Sequence, residues 1–272
     1  MTAVHDPDIA RRLDAALVAT RRAAAETLRW FNSAALEVTE KADRSPVTQA
    51  DRAAEALLRD LLLRDFPTDA FLGEESGRTT GTSGYEWIID PIDGTKSFIR
   101  GVPFYATLVG CRRESAGVIG IIAIPALDEI AYAAAGSGAW HIRGAEPPRP
   151  ARVSSRSTLS GSLLCSSDFT SFGRRADAAA GDAARHRLEA ACGVVRSWGD
   201  GYGYLLVATC RAEGMADPLL NAWDAAAVET VIMEAGGRFT DWQGRGRIDT
   251  GDGVATNGLV HDEVLRLLAA PA

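Results

Sequence analysis

The chain has 272 residues, 46% of them hydrophobic and 24% charged, and a formal net charge of −7. That balance argues against a protein that grips nucleic acid through clustered lysine and arginine, because Arg21-Arg22 and Arg112-Arg113 are too short to form such a patch. No run reaches the ~18 apolar residues of a membrane span, and residues 1–8 lack the basic flank and apolar stretch of a secretory leader, so a cytoplasmic protein without a membrane partner is expected.

Apolar positions Ile9, Leu13, Leu17, Ala24, Leu28 and Phe31, with Thr20 filling the gap, recur at three or four residues and predict an amphipathic helix. A second helix is expected around Ala54, Leu57, Leu58, Leu61 and Leu62, opened by a Thr48–Asp51 capping box and followed by Pro67. Residues 70–72 read as a strand that runs into Gly73-Glu74-Glu75-Ser76. Ile88 and Ile89 read as another, running into Asp90-Pro91-Ile92-Asp93-Gly94-Thr95.

Residues 105–111, 118–124 and 129–134 form a predicted strand meander. The stretch 143–152, with Gly144, Pro147, Pro148 and Pro150, is the expected boundary between an N-terminal half (1–146) and a C-terminal half (147–272). Beyond it the pattern alternates: strand 163–166, helix 176–192, strand 194–197, helix 202–210. A helix over 224–235, a Gly236-Gly237 stop, a strand at 238–240 and a helix near 262–268 close the chain. Cys111, Cys165, Cys192 and Cys210 lack CxxC spacing, and most are read as buried small hydrophobes.

The chemistry concentrates where acids sit at element ends. Pro91 fixes a backbone angle and Gly94 permits a tight turn whose following amides can point at an anion. Asp90 and Asp93 can share a hard divalent cation, with further acids drawn from Glu74, Glu75 and Asp224. Each piece has an ordinary alternative: Asp-Pro and Asp-Gly are common turns, Glu74 and Glu75 could form a solvated loop, and Asp224 could simply cap its helix.

Taken in order, residues 90–95, 73–76 and 223–226 resemble the central, upstream and downstream motifs of the inositol monophosphatase superfamily, and residues 45–51 resemble its early acid-bearing segment. The resemblance covers nearly the whole chain, with Ser97 and Ala50 as departures that bear on substrate more than on chemistry. It implies a mixed α/β fold, an α-β-α-β-α sandwich. It also implies a Mg²⁺-dependent, lithium-sensitive, homodimeric phosphatase acting on a small phosphorylated metabolite, with two or three Mg²⁺ ions per site.

In that pattern Glu74, Asp90 and the Ile92 carbonyl hold one Mg²⁺, and Asp90, Asp93 and Asp224 another. Thr95, paired with Asp51, handles the attacking water, and the amides at Gly94 and Thr95 hold phosphate. Glu75 assists from behind the metal, and Lys41 lies near its waters.

Residues 196–204 resemble the Arg-x-Trp-Gly-Asp-x-Tyr segment of histidinol-phosphate phosphatases, and residues 96–103 fit the same subgroup. This implies a substrate-binding role for Arg196, and the substrate's cationic amine makes Asp200 and Asp217 attractive partners for its alcohol portion. Trp198 could instead be core, and Asp200 a helix cap. Competing expectations are an inositol-1-monophosphatase or broad small-molecule phosphatase and, in another class, a noncatalytic phosphate-binding regulator.

Overall fold

Asp6 caps the first helix, its Oδ1 accepting from the Asp8 and Ile9 amides, and Pro7 enters where no amide is needed. This helix, α1 (Pro7–Trp30), opens the computed structural model, which describes residues 6–42 and 44–269; residues 1–5, read above for a leader, lie outside that range. The inward face of α1 is rotated from the expected one. Ile9, Leu13, Ala16, Thr20, Ala23 and Thr27 are buried, whereas Leu28 is 43% exposed. Alanines let α1 lie close to its neighbours, and Thr20 and Thr27 satisfy their hydroxyls on the Ala16 and Ala24 carbonyls.

A short ribbon of β1 (Val38–Glu40) and β2 (Pro46–Thr48) leads into α2 (Gln49–Asp65), whose Thr48–Asp51 capping box forms as expected. Next come β3 (Ala70–Gly73), β4 (Gly77–Thr79), β5 (Tyr85–Asp93), the single turn α3 (Thr95–Phe98), β6 (Ala106–Arg113), β7 (Ala116–Ile124), β8 (Glu129–Ala134), β9 (Ala139–Arg143) and β10 (Arg149–Ala151). These eight strands form one sheet in the order β10-β9-β8-β7-β6-β5-β3-β4, parallel only between β3 and β5. The expected division at 146/147 falls inside a hairpin, because β10 pairs with β9 and Pro150 is tolerated on that edge. The chain leaves the large sheet after Ala151.

The remaining elements are β11 (Leu163–Cys165), α4 (Ala178–Ala191), β12 (Val194–Arg196), α5 (Asp200–Ala208), β13 (Gly214–Asp217), α6 (Ala222–Glu234), β14 (Arg238–Thr240), β15 (Gly253–Thr256) and α7 (His261–Ala269). Their five strands order as β12-β11-β13-β15-β14. The sequence pattern leaves β1, β2, β4, β9, β10, β13 and β15 unmarked, all of them five residues or shorter.

Three apolar clusters define the layers. One joins α1 and α2 to the outer face of the large sheet, a second packs α5 and α6 between the sheets, and the third joins the five-stranded sheet to α4 and α7. The architecture is the expected α-β-α-β-α sandwich. A buried pair reinforces the first layer: Arg12 Nε and an Arg12 terminal nitrogen donate to the two oxygens of Asp69 at 2.9 and 2.8 Å, and Trp87 Nε1 and Ser83 Oγ donate to the same carboxylate. Cys111 and Cys165 are buried, Cys192 is half-buried and Cys210 is exposed. No helix among the described residues is long and apolar enough to cross a membrane.

Candidate active site

Because β3 and β5 run parallel with Gly73 opposite Ile89, the acids that follow them emerge at the same edge of the sheet. Pro91 cannot donate to the ladder, and the β5–β6 register shifts between Asp90 and Asp93. Gly94 then takes a left-handed conformation (φ +86°) that few side chains tolerate, and turns the chain into α3. Asp224 arrives from the other half, three residues into α6, where its Oδ2 accepts from the Asn221 amide at 2.8 Å. Capping therefore occupies one oxygen of Asp224 and does not remove it from the cluster. Asp90, Asp93 and Asp224 each offer a carboxylate oxygen, and these lie within 4.8 Å of one another.

Burial, and then Glu74, Asp93 and Asp224, raise the Asp90 pKa well above the carboxylate range, and burial with Asp200 and Asp224 does the same to Asp93. Burial pushes Asp224 up to about 6. Like charges this close favour shared protons or a cation. At the rim, Lys41 Nζ lies 2.7 Å from Glu74 and 2.6 Å from Glu75. Burial acts to lower the Lys41 pKa, but the two carboxylates outweigh it and raise it. Asp90 is buried and Asp93 and Asp224 are half-buried, and the trio, all hard oxygen donors, fits a divalent cation.

Thr95 Oγ1 stands 3.3 Å from Asp51 Oδ1 and 3.1 Å from the Ile92 carbonyl, while the Ile92 amide donates to Asp90 Oδ1 at 3.0 Å. The other Asp51 oxygen accepts from the Thr48 amide and hydroxyl at 2.8 and 2.5 Å, so Asp51 serves the helix cap and Thr95 at once. Burial raises its pKa. Glu55 escaped the sequence reading. Its carboxylate accepts from the Glu75 and Ser76 amides at 2.8 and 2.7 Å and pins the acidic loop. The available signal was its position four residues after Asp51, on the same face of α2.

A cleft of about 410 Å³ opens over these groups, lined by Glu74, Gly94, Thr95, Lys96, Ser167, Asp168, Arg174, Asp200, Asp217 and Leu219 among others. A larger hollow of about 680 Å³ beside Arg175 and Trp242 contains none of the residues singled out from the sequence. Asp200 sits at the first position of α5 with φ +53°, after an N-cap, Gly199, that makes no side-chain cap; Asp200 is not the cap. Burial, then Asp217 and Asp224, push its pKa up to about 7. Trp198 is 40% exposed and so not core, and Tyr202 stacks on Phe104 with centroids 4.7 Å apart.

Asp217 is buried, and both its oxygens already accept hydrogen bonds. Arg196 is not brought to the cleft. It is exposed on edge strand β12, donates to the Val195 carbonyl and lies over the Trp198 ring at 5.9 Å.

An acid cluster drawn from β5 and α6, with the Thr95–Asp51 hydroxyl–carboxylate pair beside it, is laid out to hold a divalent cation next to a nucleophile. The inositol monophosphatase family model matches residues 9–270, and the chain belongs to that family. It is 41% identical over 244 residues to a histidinol-phosphatase of Mycobacterium tuberculosis, covering 88% of this chain and 91% of that protein. It is 33% identical to an inositol-1-monophosphatase of Rhizobium meliloti, covering 87% of each. Among solved structures, the extragenic suppressor protein suhB of Bartonella henselae superposes with a TM-score of 0.87 at 28% identity, over 96% of this chain and 100% of that one.

Proposed function

We propose that this phosphatase hydrolyses L-histidinol phosphate to L-histidinol and phosphate in a Mg²⁺-dependent reaction, as a cytoplasmic homodimer. The observation that carries the substrate choice is Asp200, a carboxylate at the cleft with which no cationic side chain among the described residues forms an ion pair. The 41% identity to a histidinol-phosphatase supports it.

Glu74, Asp90, Asp93, Asp224 and the Ile92 carbonyl would hold Mg²⁺. Bound there, the ion supplies charge neutralisation for the phosphoryl group and a lowered pKa for water. The chain's own residues do the rest. Thr95 would relay the attacking water's proton, its Oγ1 taking that proton as it gives its own to Asp51, whose pKa is raised by burial. The Gly94 and Thr95 amides orient phosphate, and Glu75, tied to Lys41, steadies the acidic loop. Asp200 accepts the ammonium of the leaving alcohol.

The 33% identity to an inositol-1-monophosphatase favours a second reading, a polyol phosphate, in which Asp200 meets hydroxyls. Asp200→Asn separates the two. It should raise KM for histidinol phosphate by about tenfold or more, and by much less for inositol 1-phosphate. Equal changes for both substrates would remove the ammonium contact.

A further inference from the structure

Two arginines of this fold lie over aromatic rings, and only one of them has a carboxylate on its side edge. Arg12 lies 3.7 Å from the centroid of the Tyr85 ring, and its Nε and Nη2 grip the two oxygens of Asp69. Arg175 lies 4.0 Å from the centroid of the Trp242 ring, and its Nη1 reaches the Pro218 carbonyl at 3.0 Å and Asp252 Oδ2 at 2.9 Å. Among the described residues nothing accepts from Arg175 Nε or Nη2, the two-pronged edge that matches a carboxylate.

Arg175 lines the hollow of about 680 Å³, together with the apolar Ala180 of α4, Trp242, and Leu265 and Leu268 of α7. That volume lies within the range of small-molecule sites, which pair an apolar lining with a few fixed polar groups. Trp242 is held in place, its amide donating to Asp252 Oδ1 at 2.9 Å and its Nε1 to the Gly253 carbonyl at 3.3 Å. Arg266 adds a second positive charge to the lining. The one acid there, Asp177, is turned to the start of α4, where its Oδ1 accepts from the Ala180 amide at 3.0 Å. The lining therefore suits an apolar body that carries one carboxylate.

The hollow and the catalytic cleft share a wall. In the 3₁₀ segment Phe169–Arg174, Ser171 and Arg174 line the cleft, while Phe172 packs on Trp242 with ring centroids 5.5 Å apart. Gly181 lets α4 lie against this segment, because a Cβ there would stand 2.0 Å from the Phe172 carbonyl oxygen. Pro218, whose carbonyl Arg175 holds, stands between Asp217 and Leu219, both of which line the cleft.

We propose that this hollow is an effector site for a small aromatic carboxylate, which Arg175 grips through Nε and Nη2 while the ring rests on Ala180, Leu265 and Leu268. The bound anion draws the guanidinium away from the Pro218 carbonyl and shifts the shared wall, and turnover falls. The inference is independent of which phosphate monoester the enzyme hydrolyses.

The probe is 1-naphthoate, titrated calorimetrically into the Mg²⁺-loaded enzyme with and without inorganic phosphate. It should bind saturably at one site, equally well in the presence of phosphate, and the neutral 1-naphthamide should bind at least about tenfold more weakly. Arg175→Lys, which keeps a charge beside Asp252 but loses the two-pronged edge, and Ala180→Phe, which fills the hollow and leaves Arg175 intact, should each weaken binding by about tenfold or more. At saturation 1-naphthoate should lower kcat of the wild type by about fivefold or more, and added substrate should not restore it. Absence of binding, displacement by phosphate, or full affinity in both variants would overturn the site, and unchanged kcat at saturation would overturn its effector role. The binding arm uses no substrate, so its failure leaves the histidinol phosphate reading standing.

Discussion

Asp69 and Asp90 are both buried aspartates at the two ends of the β3–β5 pair, yet their surroundings are opposite. Asp69 receives both arms of Arg12, the Trp87 indole and the Ser83 hydroxyl, so its charge is compensated within the protein. Asp90 meets Asp93, Asp224 and Glu74, so its surroundings make its charge harder to hold. A buried carboxylate supplied with donors serves the fold. One gathered with its own kind is held ready for a cation, and the site that needs it is the functional one.

The sharpest way to break this contrast is Asp93→Asn. Turnover should fall by more than the roughly 10- to 100-fold that loss of a group behind a metal ligand costs, while metal-free thermal stability is kept or rises as one like charge leaves the cluster. A near-normal rate of phosphate release would sink the metal assignment.

On the other side of the comparison, Asp69→Ala should leave Arg12 buried and unpaired and destabilise the fold by about 3–5 kcal/mol. Denaturant unfolding reads this directly, and the folded fraction should keep its kcat. A loss of activity at unchanged stability would reverse the assignment of roles.

A smaller effect concerns His261, fully buried, with Thr240 and Thr256 hydroxyls 2.9 and 3.0 Å from its ring nitrogens. Burial, with Arg238 nearby, lowers its pKa to about 4 from the usual 6.5. The unfolded chain therefore binds this proton first on acidification. The stability His261 contributes is complete above about pH 6.5 and is lost as pH falls through about 4, amounting to at most about 3 kcal/mol. His261→Gln should flatten that part of the stability-versus-pH curve, and an unchanged slope would mean that the ring is not held neutral.

The site was more legible in the sequence than the fold around it, for a physical reason. Acids at strand ends, beside a proline and a left-handed glycine, are local patterns, and residues 73–76, 90–95 and 223–226 do lie where their spacing suggests. The Arg12–Asp69 pair spans 57 positions and leaves no local trace. The inward stripe of α1 was misplaced because burial there favours alanine and threonine over the larger leucines that dominate a hydrophobic pattern. Glu55 resembled any surface acid on a helix, and Arg196 was carried to the cleft by its neighbours in sequence although its strand lies on a sheet edge.

The most direct test of the account is phosphate release from histidinol phosphate, inositol 1-phosphate, fructose 1,6-bisphosphate and adenosine 3′,5′-bisphosphate, each with Mg²⁺ and with excess chelator. The account predicts hydrolysis that chelator abolishes, with kcat/KM for histidinol phosphate at least about tenfold above the others. Release undiminished by chelator, or a preference for any other member of the panel, would contradict it.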